Sequence, residues 1–235
     1  MTTISFVADF LKIAHSTYFS EQRGRWVFRG HLDFSHELIP SVGRGSHTSS
    51  TRNKYEKSLF EVFCREAPSH VSPFPTNPWE RLSIAQHHLL PTRLLDWSQN
   101  PMTALYFAVA YGEQENTDAA LFALFSTTKT SATSVAERSP FEVPKPTKFY
   151  PSFVSPRIRA QEGLFVVCPD VEKPLDQQLP EGWRLEKLKI PANSKKQIRY
   201  ELFRLGVHAS SLFPDLDRLA QRLKWQHAVS PLQTN

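Results

Sequence analysis

Glycine and cysteine are both scarce in this chain, at eight and two of 235 residues. Each scarcity removes a class of protein. Cys64 and Cys168 form no Cys-x-x-Cys pair, so neither a zinc knuckle nor a dithiol redox motif can be built from them, and both read as buried structural thiols. No Gly-x-Gly-x-x-Gly fingerprint, phosphate-binding P-loop or Gly-x-Ser-x-Gly elbow occurs, which sets aside the large nucleotide-fold and hydrolase classes that depend on them. His-Glu-x-x-His and Cys/His quartets are missing too, and no metal is expected. No apolar run approaches the length of a bilayer span, and the opening Met1-Thr-Thr-Ile-Ser-Phe6 has neither the basic nor the apolar region of a leader. The expectation is a protein with no membrane partner in a reducing compartment, the cytoplasm. There is no internal repeat, low-complexity segment or block of like charge.

What the chain has instead is proline and aromatic rings. Eighteen prolines, seventeen phenylalanines and five tryptophans imply many fixed turns around a heavy aromatic core. The formal charge of +5 and a pI near 9.2 fit phosphate or nucleic-acid binding without requiring it. The densest basic group, Lys195-Lys196 with Arg199 and Arg204, reads as the solvated face of a helix.

Periodicity predicts helices over residues 5–18, 53–67, 79–90, 101–111, 194–205 and 214–225, and strands over 26–30, 91–96, 119–125, 164–168 and 183–190. The helix from Pro101 is nearly apolar and should be central. Ser194 to Gln197 has the spacing of a capping box, and Gly206 ends the helix that it opens. Residues 126–139 form a Ser/Thr-rich loop expected to be mobile, and 149–159 read as proline-broken and basic. The pattern is that of an α+β protein, one domain over residues 1–235, with a central mixed or split β-sheet flanked by helices.

Chemistry-bearing residues concentrate between Ala85 and Pro101, where a helix end, a proline turn, a short strand and a new helix follow one another. Thr92, Arg93, Asp96, Ser98 and Asn100 thread through Leu94, Leu95 and Trp97, so alternate positions can reach a common cleft. Asp96 can do chemistry there, or it can cap the helix at Pro101, a role equally open to Ser98 or Asn100. Arg29 lies in an apolar strand before Gly30, and a guanidinium in such a place needs a bidentate partner, either Asp96 or the phosphate or carboxylate of a ligand. His87 and His88 diverge by about 100° on a helix, so one belongs to the core while the other can reach a pocket. Gln161 and Glu162 stand directly before an apolar strand, with Gly163 allowing close approach of a ligand or backbone; an exposed polar turn is the other reading.

These residues resemble the FRG domain family, named for the triplet that stands here as Phe28-Arg29-Gly30. The matching pieces are Trp26 to His31 with Leu38-Ile-Pro-Ser41, Ala85-Gln-His-His88 through Asp96-Trp97 and Asn100-Pro101, Arg157 to Gln161 with Gly163, and Ser211 to Asp217. A weaker likeness is to ADP-ribosyltransferases of the arginine-serine-glutamate type. Phe28-Arg29-Gly30, Trp97-Ser98 before Ala104-Leu-Tyr-Phe-Ala108, and Gln161-Glu162 come in the order those enzymes use. The departure is that Gln161 and Glu162 are adjacent, where the family pattern separates the pair by one residue.

The resemblance implies an ADP-ribosyltransferase-like fold and NAD as co-substrate. It makes Glu162, Gln161, Arg29 and His88 the catalytic set, and Arg29, Gly30, Thr92, Arg93, Asp96, Trp97, Ser98 and Tyr106 the cofactor-binding set. Arg29 would clamp the pyrophosphate, Tyr106 or Trp97 would stack on nicotinamide, and a carboxylate would stabilise the oxocarbenium ion. The expected function is ADP-ribosyl transfer or NAD glycohydrolysis, with DNA or RNA as acceptor and a neutralising protein as a further partner. Two other readings stand beside it: a non-catalytic module binding a phosphate ligand or nucleic acid, and a metal-independent nuclease using His87 or His88.

Overall fold

The computed structural model describes residues 2–15, 26–44, 49–110, 115–126, 138–152 and 155–229. Most of the loop expected to be mobile, residues 127–137, lies outside them. The helices are α1 (Val7–His15), α2 (Ser49–Glu66), α3 (Pro78–His87), α4 (Pro101–Val109), α5 (Pro156–Ala160), α6 (Lys195–Arg204), α7 (Ala209–Leu212) and α8 (Leu216–Val229). The strands are β1 (Trp26–His31), β2 (Leu94–Ser98), β3 (Ala119–Phe125), β4 (Thr147–Phe149), β5 (Gly163–Val167) and β6 (Arg184–Ile190), in one sheet of order β4-β5-β2-β1-β3-β6. Among the described residues no helix is long and apolar enough to cross a membrane.

The class is α+β as expected. Every pairing between these named strands is antiparallel, so their sheet is not mixed; among the described residues an isolated parallel bridge joins Thr3 to Lys189 of β6. It is split. β1 pairs with β3 along its whole length, from Trp26 opposite Phe125 to His31 opposite Ala120, yet it meets β2 at one register position, Phe28 opposite Ser98. Beyond that point the two central strands diverge and leave side chains to fill the gap.

Alternation along β1 explains its sequence. Trp26 and Phe28 join the core that α4, α1 and α6 cover, where Phe28 meets Phe10 edge-on at 6.1 Å. Val27 belongs to the core on the opposite face, with Leu95, Trp97, Phe122 and Val166. Gly30 is fixed by close approach: a Cβ there would lie 2.1 Å from the Ala104 carbonyl oxygen and 2.4 Å from the Ala108 nitrogen. Only a residue without a side chain lets α4 pack this tightly against β1. The sequence of α4 supplies its half of the contact, with Ala104, Leu105, Ala108 and Val109 all buried.

Helix ends follow local chemistry. Asn77 and Asn100 cap α3 and α4, each accepting a hydrogen bond from the second residue of its helix, with proline in the first turn. The helix at Pro101 is therefore capped by Asn100 and not by Asp96. Gly206 (φ +81°) closes α6 in a Schellman motif, Val207 N donating to Leu202 O at 2.8 Å and Gly206 N to Phe203 O at 3.0 Å. At the other end the capping box does not form. Ser194 closes a 3-10 turn with helical dihedrals, its hydroxyl contacts Asn193 Oδ1 at 3.4 Å, and Gln197 turns to Glu201.

The basic group on α6 also departs from expectation. Lys196 and Arg204 are exposed, but Lys195 and Arg199 are buried, at 1% and 5% exposure. Lys195 Nζ donates to the Leu32 carbonyl, and Arg199 holds Glu115 by two hydrogen bonds. The proline-broken segment starts at the last residue of β4 and takes in most of α5, which opens on the Ser155-Pro156 pair, where the Ser155 hydroxyl accepts from Ile158 N.

Candidate functional site

A cavity of about 390 Å³ opens where β1 and β2 diverge. Its walls come from both faces of the sheet, among them Phe107 of α4 on one side and Trp97 and His31 on the other, with Gln86, His87 and Leu89 from the end of α3 and Arg157, Ile158 and Gln161 from α5 and its exit. Arg44 and His36 complete it from the segment after β1.

Arg29 spans the split. Its Nη1 donates to the Asp96 carbonyl at 2.6 Å and lies 3.7 Å from Asp96 Oδ2, and its Nε donates to His31 Nε2 at 2.9 Å. The Arg29 side chain is 16% exposed, and its Nη2 makes no hydrogen bond among the described residues. Burial pushes the Arg29 pKa down and the Asp96 carboxylate opposes that. Arg44 and Arg157 show the same balance of burial against Asp96.

Among the described residues Asp96 is the only acidic side chain on the cavity wall. It is held by a relay, in which the Thr92 hydroxyl donates to Gln86 Oε1 at 2.6 Å and Gln86 Nε2 donates to Asp96 Oδ2 at 2.9 Å. Three guanidinium groups therefore face one carboxylate. His31 and His87 add no charge near neutral pH. Burial, then the Arg29 and Arg44 cations, bring His31 down to about 2, and burial with Arg157 and His88 lowers His87. Because His31 Nε2 accepts from Arg29, the neutral ring carries its proton on Nδ1.

Of the residues singled out in the sequence, Arg29, Gly30, Asp96, Trp97, Ser98 and Gln161 line this one cavity. Ser98 is tied down, its hydroxyl donating to the Gln161 carbonyl at 2.6 Å and accepting from Asn100 N at 2.9 Å. The Gln161 amide donates to Leu212 O at 3.1 Å. Five other residues expected at the site lie outside its wall. Arg93 is withdrawn from the cleft: its guanidinium sits 2.7 Å from Glu56 Oε2 and 2.9 Å from Asn53 Oδ1, pinning α2 to the start of β2. Thr92 is fully buried and reaches the cavity only through Gln86. Tyr106 lies outside the cavity wall, because its neighbour Phe107 is the α4 ring that faces the split.

His88 is the exposed C-cap of α3, and only His87 enters, so the adjacent pair is not assembled as an acid and a base in one place. Glu162 is turned out. It adopts the left-handed conformation (φ 46°) at the exit of α5, is exposed, and accepts a hydrogen bond from Asn100 Nδ2 at 3.1 Å.

Gln86, His31, Arg44, Arg157 and Leu89 were missed. Gln86 lies in the Ala85-Gln-His-His88 run, beside two histidines whose chemistry is the stronger local signal. Leu89 had no signal at all: it is a leucine with φ 67° and 85% exposure at the mouth of the cavity.

Comparison with curated proteins finds no match, and none is found among solved structures. The family whose model the chain matches is the FRG domain, over residues 24–117, a stretch that contains β1, α3, β2 and α4 and supplies Arg29, Arg44, Gln86, His87 and Asp96 to the cavity.

Proposed function

We propose that the cavity in the split sheet binds a phosphate-bearing nucleotide, with Arg29, Arg44 and Arg157 as its anion cradle. The observation that carries this reading is the imbalance of three guanidinium groups against the single carboxylate of Asp96 in a concave site of about 390 Å³. Arginine suits phosphate because its planar fork donates two parallel hydrogen bonds. Trp97 and Phe107 supply the planar walls that a base or nicotinamide ring needs. Calorimetry with NAD, ADP-ribose and ADP tests the proposal. Arg29→Gln weakens binding at least ten-fold on this reading, and wild-type protein that binds none of the three overturns it.

A second reading, cleavage of NAD with transfer of ADP-ribose to water or a nucleic-acid acceptor, is favoured by Asp96. A carboxylate held by Gln86 and Arg29 can stabilise the oxocarbenium ion that forms as the bond from ribose C1′ to the nicotinamide nitrogen breaks. The acceptor oxygen then bonds to C1′ and releases its proton to solvent. Gln161 would hydrogen-bond the ribose hydroxyls. In this assignment Asp96, not Glu162, supplies the charge. Release of nicotinamide is the readout: Asp96→Asn abolishes it while retaining NAD binding, and Glu162→Gln leaves it in place. Binding without any release of nicotinamide would make the protein a non-catalytic nucleotide-binding module.

A further inference from the structure

Behind Phe107 lies a second, smaller space of about 210 Å³, walled by α4, α6 and α8. Its character is unlike that of the core around it. Phe203 and Trp225 form one wall, with ring centroids 4.9 Å apart at 61°. Phe213 forms another and meets Phe107 edge-on at 5.8 Å. Arg218, Arg222 and Arg199 line the same space, and among the described residues no acidic side chain does. Glu115 engages Arg199, whereas no ion pair with an acidic side chain is formed by Arg218 or Arg222 among the described residues. Arg218 is exposed, donates to Gln221 and lies over the Phe213 ring at 4.9 Å. Arg222 is half-buried; its Nη1 donates to Gln226 Oε1 at 3.0 Å, while its Nε is fully covered and has no hydrogen-bond partner among the described residues.

A covered guanidinium N–H without an acceptor is costly, and aromatic walls beside it describe a site for a flat ring that carries an anion. An apolar ligand would leave the arginines uncompensated, and an inorganic anion would leave the rings unused.

The geometry points to a second nucleotide subsite here, in which an unpaired base lies against Trp225 and Phe203 while Arg222 and Arg218 receive its phosphate. Base stacking on aromatic side chains is tolerant of base identity, so the class is a nucleoside monophosphate unit, free or within a single strand. The subsite does not depend on what fills the first cavity, but it adjoins it. Phe213 is the partition, covered by Arg218 on one side at 4.9 Å and by Arg157 of the first cavity at 4.5 Å.

The test weakens the first cavity and titrates the second. Protein carrying Arg29→Gln, or Arg29→Lys where the first variant melts early, is titrated by calorimetry with AMP and with a single-stranded DNA of about ten nucleotides. Binding is expected to persist in this background and to weaken on the order of ten-fold when Arg222→Gln or Trp225→Phe is added, at unchanged melting temperature. Arg222→Lys should recover part of the loss. Tighter binding of the strand identifies nucleic acid as the source, and equal or tighter binding of AMP identifies a free nucleotide. Absence of binding in the Arg29 background, or binding indifferent to Arg222 and Trp225, overturns the subsite. Failure of NAD to bind wild-type protein is a separate result and bears only on the first cavity.

Discussion

Arg29 and Asp96 face each other across the opening between β1 and β2, the guanidinium donating to the Asp96 carbonyl at 2.6 Å while the two charges stand 3.7 Å apart. The contact bridges strands that pair only at Phe28 and Ser98. The Asp96 side chain is 60% exposed, so the ion pair itself contributes at most about 1 kcal/mol to stability. Asp96→Asn should therefore melt within a few degrees of wild type and bind nucleotide as well or better, since it removes a carboxylate from the cavity wall. Calorimetry beside a thermal melt checks both parts; a collapse in stability would make Asp96 a structural residue.

The other arginine of the motif region predicts the opposite behaviour. Arg93 and Glu56 are 2% and 1% exposed, and breaking one partner of a buried pair costs about 3–5 kcal/mol. Arg93→Met and Glu56→Gln should each lower the urea midpoint sharply, while any folded fraction keeps its nucleotide affinity. Affinity lost in step with that of Arg29→Gln would return Arg93 to the binding set.

Arg93 also illustrates what the sequence can and cannot tell. The alternation of β2 was legible, with Leu95 and Trp97 buried in one core, and so were the Asn100-Pro101 start of α4 and the glycine that stops α6. The partner of Arg93 was not, because Glu56 lies 37 residues away on another helix and no local pattern links them. Tyr106 and Phe107 differ by one step of about 100° around α4, and only the packing of Gly30 against Ala104 and Ala108 decides which ring faces the split. β4 is three residues long, too short to carry a period. Glu162 followed the order of a resemblance, but the backbone reversal at the exit of α5 points it outward.

Gly30 tests that packing. A methyl group at this position would enter the backbone of α4, 2.1 Å from Ala104 O, where no flexible side chain can yield. Gly30→Ala should destabilise by about 3 kcal/mol, the upper end of overpacking costs, and weaken ligand binding together with stability because Phe107 must shift. A variant as stable as wild type would mean that α4 moves freely against β1.

Two helix exits beside the cavity hold a side chain where glycine is the usual choice. Leu89 (φ 67°) ends α3 in a Schellman motif, with Leu90 N donating to Ala85 O and Leu89 N to Gln86 O, and Glu162 (φ 46°) ends α5. A left-handed non-glycine residue costs roughly 1–2 kcal/mol. Leu89→Gly should raise stability by about 1 kcal/mol, since the 85% exposed side chain gives up almost no burial. Glu162→Gly should gain less, because it forfeits the hydrogen bond from Asn100. If Leu89 closes over a bound ligand, its glycine variant gains stability and loses affinity together, a combination that a passive surface residue would not produce.

The last expectation concerns pH and follows from His31. Its folded pKa is depressed to about 2 by burial and by the Arg29 and Arg44 cations, against an unfolded value near 6.5. Between those limits the unfolded chain binds a proton that the folded chain refuses, so stability rises with pH through this window and falls on acidification below about 6.5. The slope from this one group approaches about 1.4 kcal/mol per pH unit once the unfolded histidine is protonated, giving a loss of about 1 kcal/mol by pH 5.5. Denaturation midpoints measured from pH 7.5 to 5 should show that fall. His31→Gln keeps an acceptor for Arg29 Nε and removes the titration, so its profile should be flatter over the same range. A wild-type profile no steeper than that of the variant would mean that His31 takes up its proton in the folded state, beside two arginines, and that the cavity is far better solvated than its walls suggest.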